Sequence, residues 1–293
     1  MLSPIFILGP TGCGKSRVAV ELAERLGAAE IVSADAYQAY RQIPILTAAP
    51  GQDLLSRVLH HLIGTLDITE NNDAATHARH AQQAIADIQA RGMRPIITGG
   101  SGLYVKFISH GISPAPPADP ALRAELAALP PAEAVAKLQA LDPEGAARTD
   151  LCNPRYVTRN LEIVILGGKP LSYWQQNWQH PPAGPGFMLT RDTAELDARI
   201  AERARAMVAH GVIDEVAALG QLSVTAAKTL GLREVQAHLA GTLTRPELEA
   251  ALALTTRQYA KRQRTWLRRE TWLCPTPMQA DPVGAILSRL ATA

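Results

Sequence analysis

The stretch Pro4-Ile5-Phe6-Ile7-Leu8-Gly9-Pro10-Thr11-Gly12-Cys13-Gly14-Lys15-Ser16 begins with an apolar run and continues into a glycine-rich loop. The loop fits the phosphate-loop pattern G-x-x-x-x-G-K-[ST]. Residues 15–26 follow with apolar side chains at helical spacing. A strand, a loop and a helix in this order place backbone amides and a lysine around an anion at a helix N-terminus. The stretch therefore predicts an α/β sheet whose first strand carries a phosphate-binding loop.

Further strands are predicted at residues 30–33, 94–98 and 187–190, with helices between and after them near 73–91, 193–210, 211–220, 231–240 and 244–273. This alternation is typical of a parallel sheet. Between two proline-rich stretches, at 111–120 and 181–186, the pattern is helical with no convincing strand. We therefore expect a P-loop NTPase-like parallel sheet flanked by helices, formed by residues 1–114 and 187–293. Residues 115–186 are expected to be an inserted all-helical subdomain.

The composition is that of an ordinary globular protein, with 293 residues, of which 47% are hydrophobic and 19% charged. The 29 Lys and Arg against 27 Asp and Glu give a net charge of +2, so any affinity for nucleic acid must be local. Cys13, Cys152 and Cys274 are odd in number and fit no metal-ligand spacing, which favours a reducing cytoplasm. The first apolar run is too short for a signal peptide or a membrane span, and no membrane association is expected.

Two loops at predicted strand ends carry candidate ligand-binding residues. Asp35 follows the second strand, at the edge where parallel sheets bind ligands. Its carboxylate could act as a general base or join a metal shell, or it could only cap a turn. The third strand runs into residues 99–104, Gly-Gly-Ser-Gly-Leu-Tyr, where Ser101 could cap a helix or contact a ligand. His60 and His61 are adjacent, which favours a structural pair over a metal site.

The last long helix is expected to carry one basic face, with apolar side chains on another face. Its cations follow a spacing of i, i+4, i+7 and i+11: Arg257, Lys261, Arg264 and Arg268. A solvated surface is the simple interpretation. However, the stripe has almost no acidic partners before Glu270, which favours a phosphodiester or a diphosphate as its partner.

Together, these stretches resemble the tRNA dimethylallyltransferase family, also called tRNA isopentenyltransferases, across almost the whole chain. The resemblance rests on an ordered series: GPTGCGKS (9–16), SADAYQAY (33–40), HHLI (60–63), PIITGGSGLY (95–104), NPRYVTRNLEI (153–163), TLGLRE (229–234) and TRQYAKRQRTW (256–266). It implies transfer of a dimethylallyl group from dimethylallyl diphosphate to N6 of the adenosine 3′ of the anticodon, with the base flipped into a pocket. The expected partners are thus dimethylallyl diphosphate and the tRNA anticodon stem-loop, and we expect a monomer.

The motif and the resemblance assign roles to particular residues. The diphosphate cradle is expected to comprise Gly9, Pro10, Thr11, Gly12, Cys13, Gly14, Lys15 and Ser16, with Ser16 also holding Mg²⁺. Catalytic roles are implied for Asp35 as general base and for Thr11, Lys15, Arg199 and Arg203, where spacing does not decide which of the two arginines contacts the diphosphate. Contact with tRNA is implied for Asp35, Ala36, Tyr37, Gln38, Ser101, Arg123, Arg155, Tyr156, Val157, Thr158, Arg159, Lys228, Arg233, Arg257, Lys261 and Arg264.

The chain departs from the family pattern in a few places. Ala36 replaces a usual serine, a usual lysine is missing from residues 47–50 (TAAP), and Thr193 replaces the second arginine of an RDR triplet. Three alternatives therefore stay open: a small-molecule kinase or ATPase that uses ATP on the same loop, an RNA-binding protein without catalysis, and a transferase acting on free adenine nucleotides. Against the first, residues 96–98 end in glycines and supply no acidic strand end for hydrolysis.

Overall fold

The computed structural model describes residues 2–178, 181–279 and 281–292. The chain forms two compact units, one built from residues 1–109 and 182–293 and the other from residues 110–181. Each boundary lies a few residues before the one expected from sequence. The first junction lies just before the proline-rich stretch at 111–120 and the second lies at the start of the stretch at 181–186. The inserted segment folds around its own core.

The first unit contains one six-stranded sheet in the order β3-β2-β4-β1-β5-β6, in which every neighbouring pair is parallel. Its strands are β1 (Ile5–Leu8), β2 (Ala29–Ala34), β3 (His60–His61), β4 (Arg94–Gly99), β5 (Gly186–Thr190) and β6 (Leu273–Pro277). The four residues of β1 and the six of β2 are all buried, as expected where helices cover both faces of a parallel sheet. The predicted fold class is confirmed.

The helices, numbered in chain order, divide between the units, with α5 to α9 in the second. They are α1 (Lys15–Leu26), α2 (Gln52–Leu55), α3 (Ala74–Ala90), α4 (Gly102–Ser109), α5 (Pro120–Ala128), α6 (Pro131–Leu141), α7 (Pro143–Ala147), α8 (Pro154–Gly167), α9 (Leu171–Gln176), α10 (Thr193–Ala209), α11 (Val212–Ala217), α12 (Leu232–Leu239), α13 (Arg245–Leu267) and α14 (Pro282–Ala291). A short 3₁₀ turn covers Ala226–Lys228. In the part of the chain that is described, no helix is long and apolar enough to cross a membrane.

Capping side chains explain where several helices begin. Asp73 accepts a hydrogen bond from Thr76 N at the start of α3, and Asp192 accepts from Ala194 N at the start of α10. α13 begins with a capping box between Thr244 and Glu247. These signals fix where α10 and α13 begin. The two helices pack against each other, and α10 carries arginines and α13 a buried glutamine to the site described below.

Every regular element among the described residues of the second unit is a helix. Its core is formed by Leu126, Leu138, Val157 and Leu161 together with neighbouring apolar side chains. A buried carboxylate, Glu162, lies beside this core with no exposed side-chain area. Its partners are considered below.

The end of the chain differs from the prediction. The helix expected over residues 244–273 ends at Leu267, and residues 273–277 form the edge strand β6, followed by α14. The sequence Leu273-Cys-Pro-Thr-Pro277 contains two prolines, which disfavour a strand except at a sheet edge. β3 was also not predicted because it is only two residues long. There His61 Nε2 lies 2.6 Å from Glu30 Oε2, which fits the expected structural role of the histidine pair.

Candidate active site

The glycine-rich loop joins β1 to α1 and has the backbone geometry that its glycines permit. Gly12 and Gly14 have φ values of +85° and +104°, a region that disfavours other residues. A Cβ atom on Gly9 would lie 2.7 Å from Cys13 Sγ, so the loop folds closely on itself. Lys15 Nζ donates to Pro10 O at 2.9 Å across the loop. This hydrogen bond thus keeps the Lys15 ammonium group against the backbone of the loop.

A cavity of about 530 Å³ lies at the carboxyl edge of the sheet, in front of this loop. Its walls bring together many of the predicted residues: Thr11, Gly12, Gly14, Lys15, Ser16, Asp35, Gln38, Arg199 and Arg203. A smaller neighbouring cavity shares Thr11, Asp35 and Arg203 and adds Tyr37 and Tyr259. Thr47 and Ala48 also line both cavities, so these five residues stand between a space lined by the phosphate loop and a smaller space that includes Tyr37 and Tyr259.

Both arginines left open by the sequence reach the loop from α10. Arg199 Nε donates to Gly12 O at 3.0 Å, and Arg203 Nη2 donates to Thr11 Oγ1 at 2.6 Å. Neither forms an ion pair with a carboxylate among the described residues. Burial lowers the pKa of Arg203, an effect that the nearby charge of Asp35 opposes. Two guanidinium groups without acidic partners beside a phosphate loop are suited to binding an anion.

Asp35 combines the two roles that the sequence left open. Its Oδ1 accepts from the backbone N–H groups of Tyr37 and Gln38 at 3.0 and 3.4 Å, which fixes a turn after β2. The same residue lines both cavities. Gln38 is held in turn, because its Nε2 donates to Ala48 O at 3.2 Å. One carboxylate oxygen is thus used for the turn, and the residue still faces the site.

Ser101 links the loop after β4 to the rest of the site. Its Oγ accepts from Ala36 N at 3.4 Å and lies 3.1 Å from the hydroxyl of Tyr259 on α13. Burial raises the pKa of Tyr259, and the charge of Asp35 raises it further. Tyr259 is therefore a neutral hydroxyl at the wall of the smaller cavity.

Gln263 and Thr98 are among the polar side chains of the large cavity that sequence reasoning missed. Gln263 on α13 is 5% exposed, and its Oε1 accepts from Thr11 N at 2.8 Å. Thr98 lies at the end of β4, where its buried Oγ1 has no hydrogen-bond partner among the described residues. Gln263 could have been found, since it is a polar residue at i+4 from Tyr259 on the apolar face of the helix. The sequence did not indicate a site role for Thr98, because β-branched residues are common in strands.

The basic residues of the first unit that are predicted to contact tRNA lie outside this cavity. Lys228, Arg233 and Lys261 are exposed, Arg257 is partly buried, and none forms an ion pair among the described residues. Arg264 Nη1 donates to Thr193 Oγ1 at 2.9 Å, so the threonine that replaces a family arginine takes a hydrogen bond from the basic stripe. The side chain of Ala36 is buried.

The residues predicted in the second unit divide into three groups. Arg123 and Arg159 are ion-paired with buried Glu162, at 2.5 and 2.6 Å. Val157 is 2% exposed and belongs to the core, so its side chain does not face solvent. The exposed members are Arg155 and Tyr156, with Thr158 partly exposed.

Comparison with known proteins shows the same family over nearly the whole chain. Residues 38–270 match the family model described as IPP transferase. A tRNA dimethylallyltransferase of Akkermansia muciniphila is 53% identical over 287 residues, which cover 98% of this chain and 97% of that protein.

Solved structures agree with this result. The full-length tRNA isopentenylpyrophosphate transferase of Bacillus halodurans matches with a TM-score of 0.73 and 32% identity, covering 100% of this chain and 96% of that one. A eukaryotic dimethylallyltransferase acting on tRNA shares the fold, with a TM-score of 0.80 at 22% identity over 94% of this chain and 74% of its own. The resemblance stated from sequence is confirmed, and the chain belongs to the IPP transferase family, a family of transferases that includes the tRNA dimethylallyltransferases.

Proposed function

We propose that this protein transfers a dimethylallyl group from dimethylallyl diphosphate to N6 of the adenosine on the 3′ side of the tRNA anticodon, and releases diphosphate. The observation that carries the proposal is the position of Asp35, which lines both the cavity of the phosphate loop and the smaller neighbouring cavity beside Tyr37 and Tyr259. A base placed between two substrate spaces suits a transfer between two bound molecules.

The donor diphosphate is proposed to occupy the large cavity. Lys15 would leave Pro10 O to meet a phosphate oxygen, and Arg199 and Arg203 would stabilise the charge that develops on the leaving group. The loop would then act as a leaving-group clamp rather than as a site for ATP hydrolysis. The glycines that follow Thr98 at the end of β4 support this, because they leave that strand end without a carboxylate.

The residues present also fit a magnesium ion beside the diphosphate. Within the described residues, no group of three or more His, Cys, Asp or Glu is placed to hold a metal. Ser16 supplies the hydroxyl that phosphate loops offer to Mg²⁺, and the unpartnered Thr98 hydroxyl faces the same cavity. When bound, Mg²⁺ would supply positive charge to the diphosphate oxygens.

The acceptor amine needs help because its lone pair is delocalised into the adenine ring. In the proposed step, N6 attacks the C1 carbon of the dimethylallyl group while the bond from C1 to the diphosphate oxygen breaks. The electron pair of that bond leaves with diphosphate, and the N6 proton passes to the carboxylate of Asp35. Gln38 and Ser101, whose positions are fixed by the hydrogen bonds above, would border the flipped base.

The tRNA backbone is proposed to lie along the exposed cations. In the first unit these are Lys228, Arg233, Arg257, Lys261 and Arg264, and in the second unit Arg155 beside Tyr156. Such contacts release counterions, so binding should weaken steeply with salt. As part of the same proposal, the protein is a monomer that works in the cytoplasm, and its three free cysteines support the second part, a reducing compartment.

The test is transfer of labelled dimethylallyl from its diphosphate to unmodified tRNA, with mass analysis of the modified nucleoside. Asp35→Asn keeps an oxygen for the turn but removes the base, and should lower kcat by about 10²–10⁴-fold. Asp73→Asn is the matched control, because Asp73 also accepts a backbone N–H but lies at a helix cap where Asn serves equally well. The proposal fails if the wild type modifies no tRNA, or if it removes the γ-phosphate of ATP without responding to the allylic donor.

A further inference from the structure

Helix α13 has two opposite faces, one towards the loops of the candidate active site and one with the cations proposed to bind RNA. At about 100° per residue, Tyr259, Gln263 and Trp266 lie on one side of the helix, and the basic stripe of Arg257, Lys261, Arg264 and Arg268 lies on the opposite side. The first side faces the loops of the candidate active site. The second carries the cations proposed above to bind RNA.

The side of α13 that carries Tyr259, Gln263 and Trp266 is tightly packed against the loop after β4. A Cβ atom on Gly100 would lie 2.6 Å from Gln263 Nε2, and one on Gly102 would lie 2.6 Å from the ring of Trp266. Tyr259 adds its hydrogen bond to Ser101. Because these atoms touch rigid backbone, a small displacement of α13 must displace the loop after β4 as well.

The phosphate loop is joined to the same helix by a partly buried hydrogen bond. Thr11 N donates to Gln263 Oε1 at 2.8 Å, although the two residues are 252 positions apart in sequence. The amide N–H of Thr11 is therefore bonded to a side chain of α13. Its hydroxyl accepts from Arg203, so the position of Thr11 also sets the position of that guanidinium group.

From this geometry we infer that Gln263 couples the two substrate sites, so that RNA bound on the basic face of α13 strengthens anion binding in the phosphate loop. The inference rests on the proposed function for the identity of the RNA. Gln263 acts here as a positioning residue, since it orders Thr11 and Arg203. Linkage requires the coupling to be reciprocal, so an anion in the loop must strengthen RNA binding by the same factor.

The experiment measures the affinity of inorganic pyrophosphate, with Mg²⁺, by calorimetry in the absence and presence of a saturating tRNA anticodon stem-loop. In the wild type we expect the stem-loop to tighten pyrophosphate binding by about five-fold or more. Gln263→Met keeps the size of the side chain but removes the acceptor, and should reduce this ratio to below about two-fold. Stem-loop affinity, measured with and without pyrophosphate, should change by the same ratio in each protein.

Two further variants distinguish a loss of coupling between the two substrate sites from a general disturbance of the packing of α13. Gln263→Glu keeps an oxygen for Thr11 N, so the ratio should return towards the wild-type value even though the added negative charge weakens pyrophosphate binding overall. Gln258→Met changes an exposed glutamine on the same helix and should leave both affinities unchanged.

The outcomes are distinguishable. If the wild type binds the stem-loop and pyrophosphate independently, or if Gln263→Met retains the full ratio, the coupling is wrong while the proposed function stands. If the wild type binds pyrophosphate but no stem-loop, the proposed function itself fails and the coupling fails with it.

Discussion

Two pairs of arginines, one in each unit, are both predicted from the sequence to bind substrate, and they differ in their partners in the structure. In the first unit Arg199 and Arg203 donate to a carbonyl and a hydroxyl of the phosphate loop, and no carboxylate neutralises them among the described residues. In the second unit Arg123 and Arg159 both bind the buried carboxylate of Glu162. The first pair keeps its charge available for a ligand, whereas the second pair uses its charge to satisfy a group inside the fold.

The difference shows how an arginine's partner indicates its role. A buried carboxylate is costly unless cations and N–H groups surround it, and Glu162 also accepts from Asp119 N at 2.7 Å. Removing an arginine of the second pair should therefore affect stability first. Removing one of the first pair should affect catalysis first.

The largest expected effect is on activity, from Arg203→Met. Loss of a guanidinium group beside the departing diphosphate should lower kcat/KM by about 10²–10³-fold, with little change in thermal stability. Arg123→Met is the counterpart in the second unit and should lower the melting temperature while keeping kcat near the wild-type value. Steady-state kinetics and thermal melts of both variants make the comparison. Equal losses of kcat in Arg203→Met and Arg123→Met would contradict the distinction between the two arginine pairs.

The next effect is on stability, from Glu162→Gln. Two arginines would lose their shared charge partner, and we expect a cost of about 2 kcal/mol in unfolding free energy, discounted because both arginines are partly exposed. Hydrogen exchange of residues 110–181 should localise the loss to the second unit. Glu144→Gln removes an exposed carboxylate paired with Arg148 in the same unit and should change little. Similar losses in both variants would contradict the structural role of Glu162.

The smallest effect is a pH dependence of the second unit. Burial raises the pKa of Glu162, but hydrogen bonds from Arg159, Arg123 and Asp119 N outweigh burial and hold the pKa below its ordinary value of 4.5. Because the folded-state pKa is depressed, this stabilisation is complete above about pH 4.5 and is lost as the pH falls through the folded-state value. Melting curves between pH 7 and pH 3 should therefore fall more steeply for the wild type than for Glu162→Gln. Parallel curves would show that Glu162 does not titrate as described.

Most of the fold could be predicted from the sequence because local patterns and the overall topology agree. The apolar run before the loop, the helical spacing after it and the change of pattern near residue 111 each have a structural counterpart. What failed was β6, since Pro275 and Pro277 carry no local strand signal and are held in the sheet only by pairing with β5. A tertiary contact decided that element, and a single-sequence pattern does not contain it.

The candidate site shows the same limit. Lys15, Ser16 and Asp35 belong to motifs or follow strands, so the sequence could place them at one edge of the sheet. Gln263 and Thr98 meet the site only because distant elements pack together, and the roles of Arg123 and Arg159 depend on a carboxylate whose burial is a property of the folded helices.

The free edges of the sheet have one further consequence. β3 offers only two residues on one side. On the other side, Met278 N donates to Thr190 O, which indicates that the even-numbered N–H groups face β5 and the odd-numbered positions face outwards. At those positions Leu273 N is already bonded to Glu270 O, while Pro275 and Pro277 have no N–H. Among the residues that the structure describes, these two edges therefore present no row of donors to a foreign strand, which protects a hydrophobic parallel sheet against edge-to-edge aggregation.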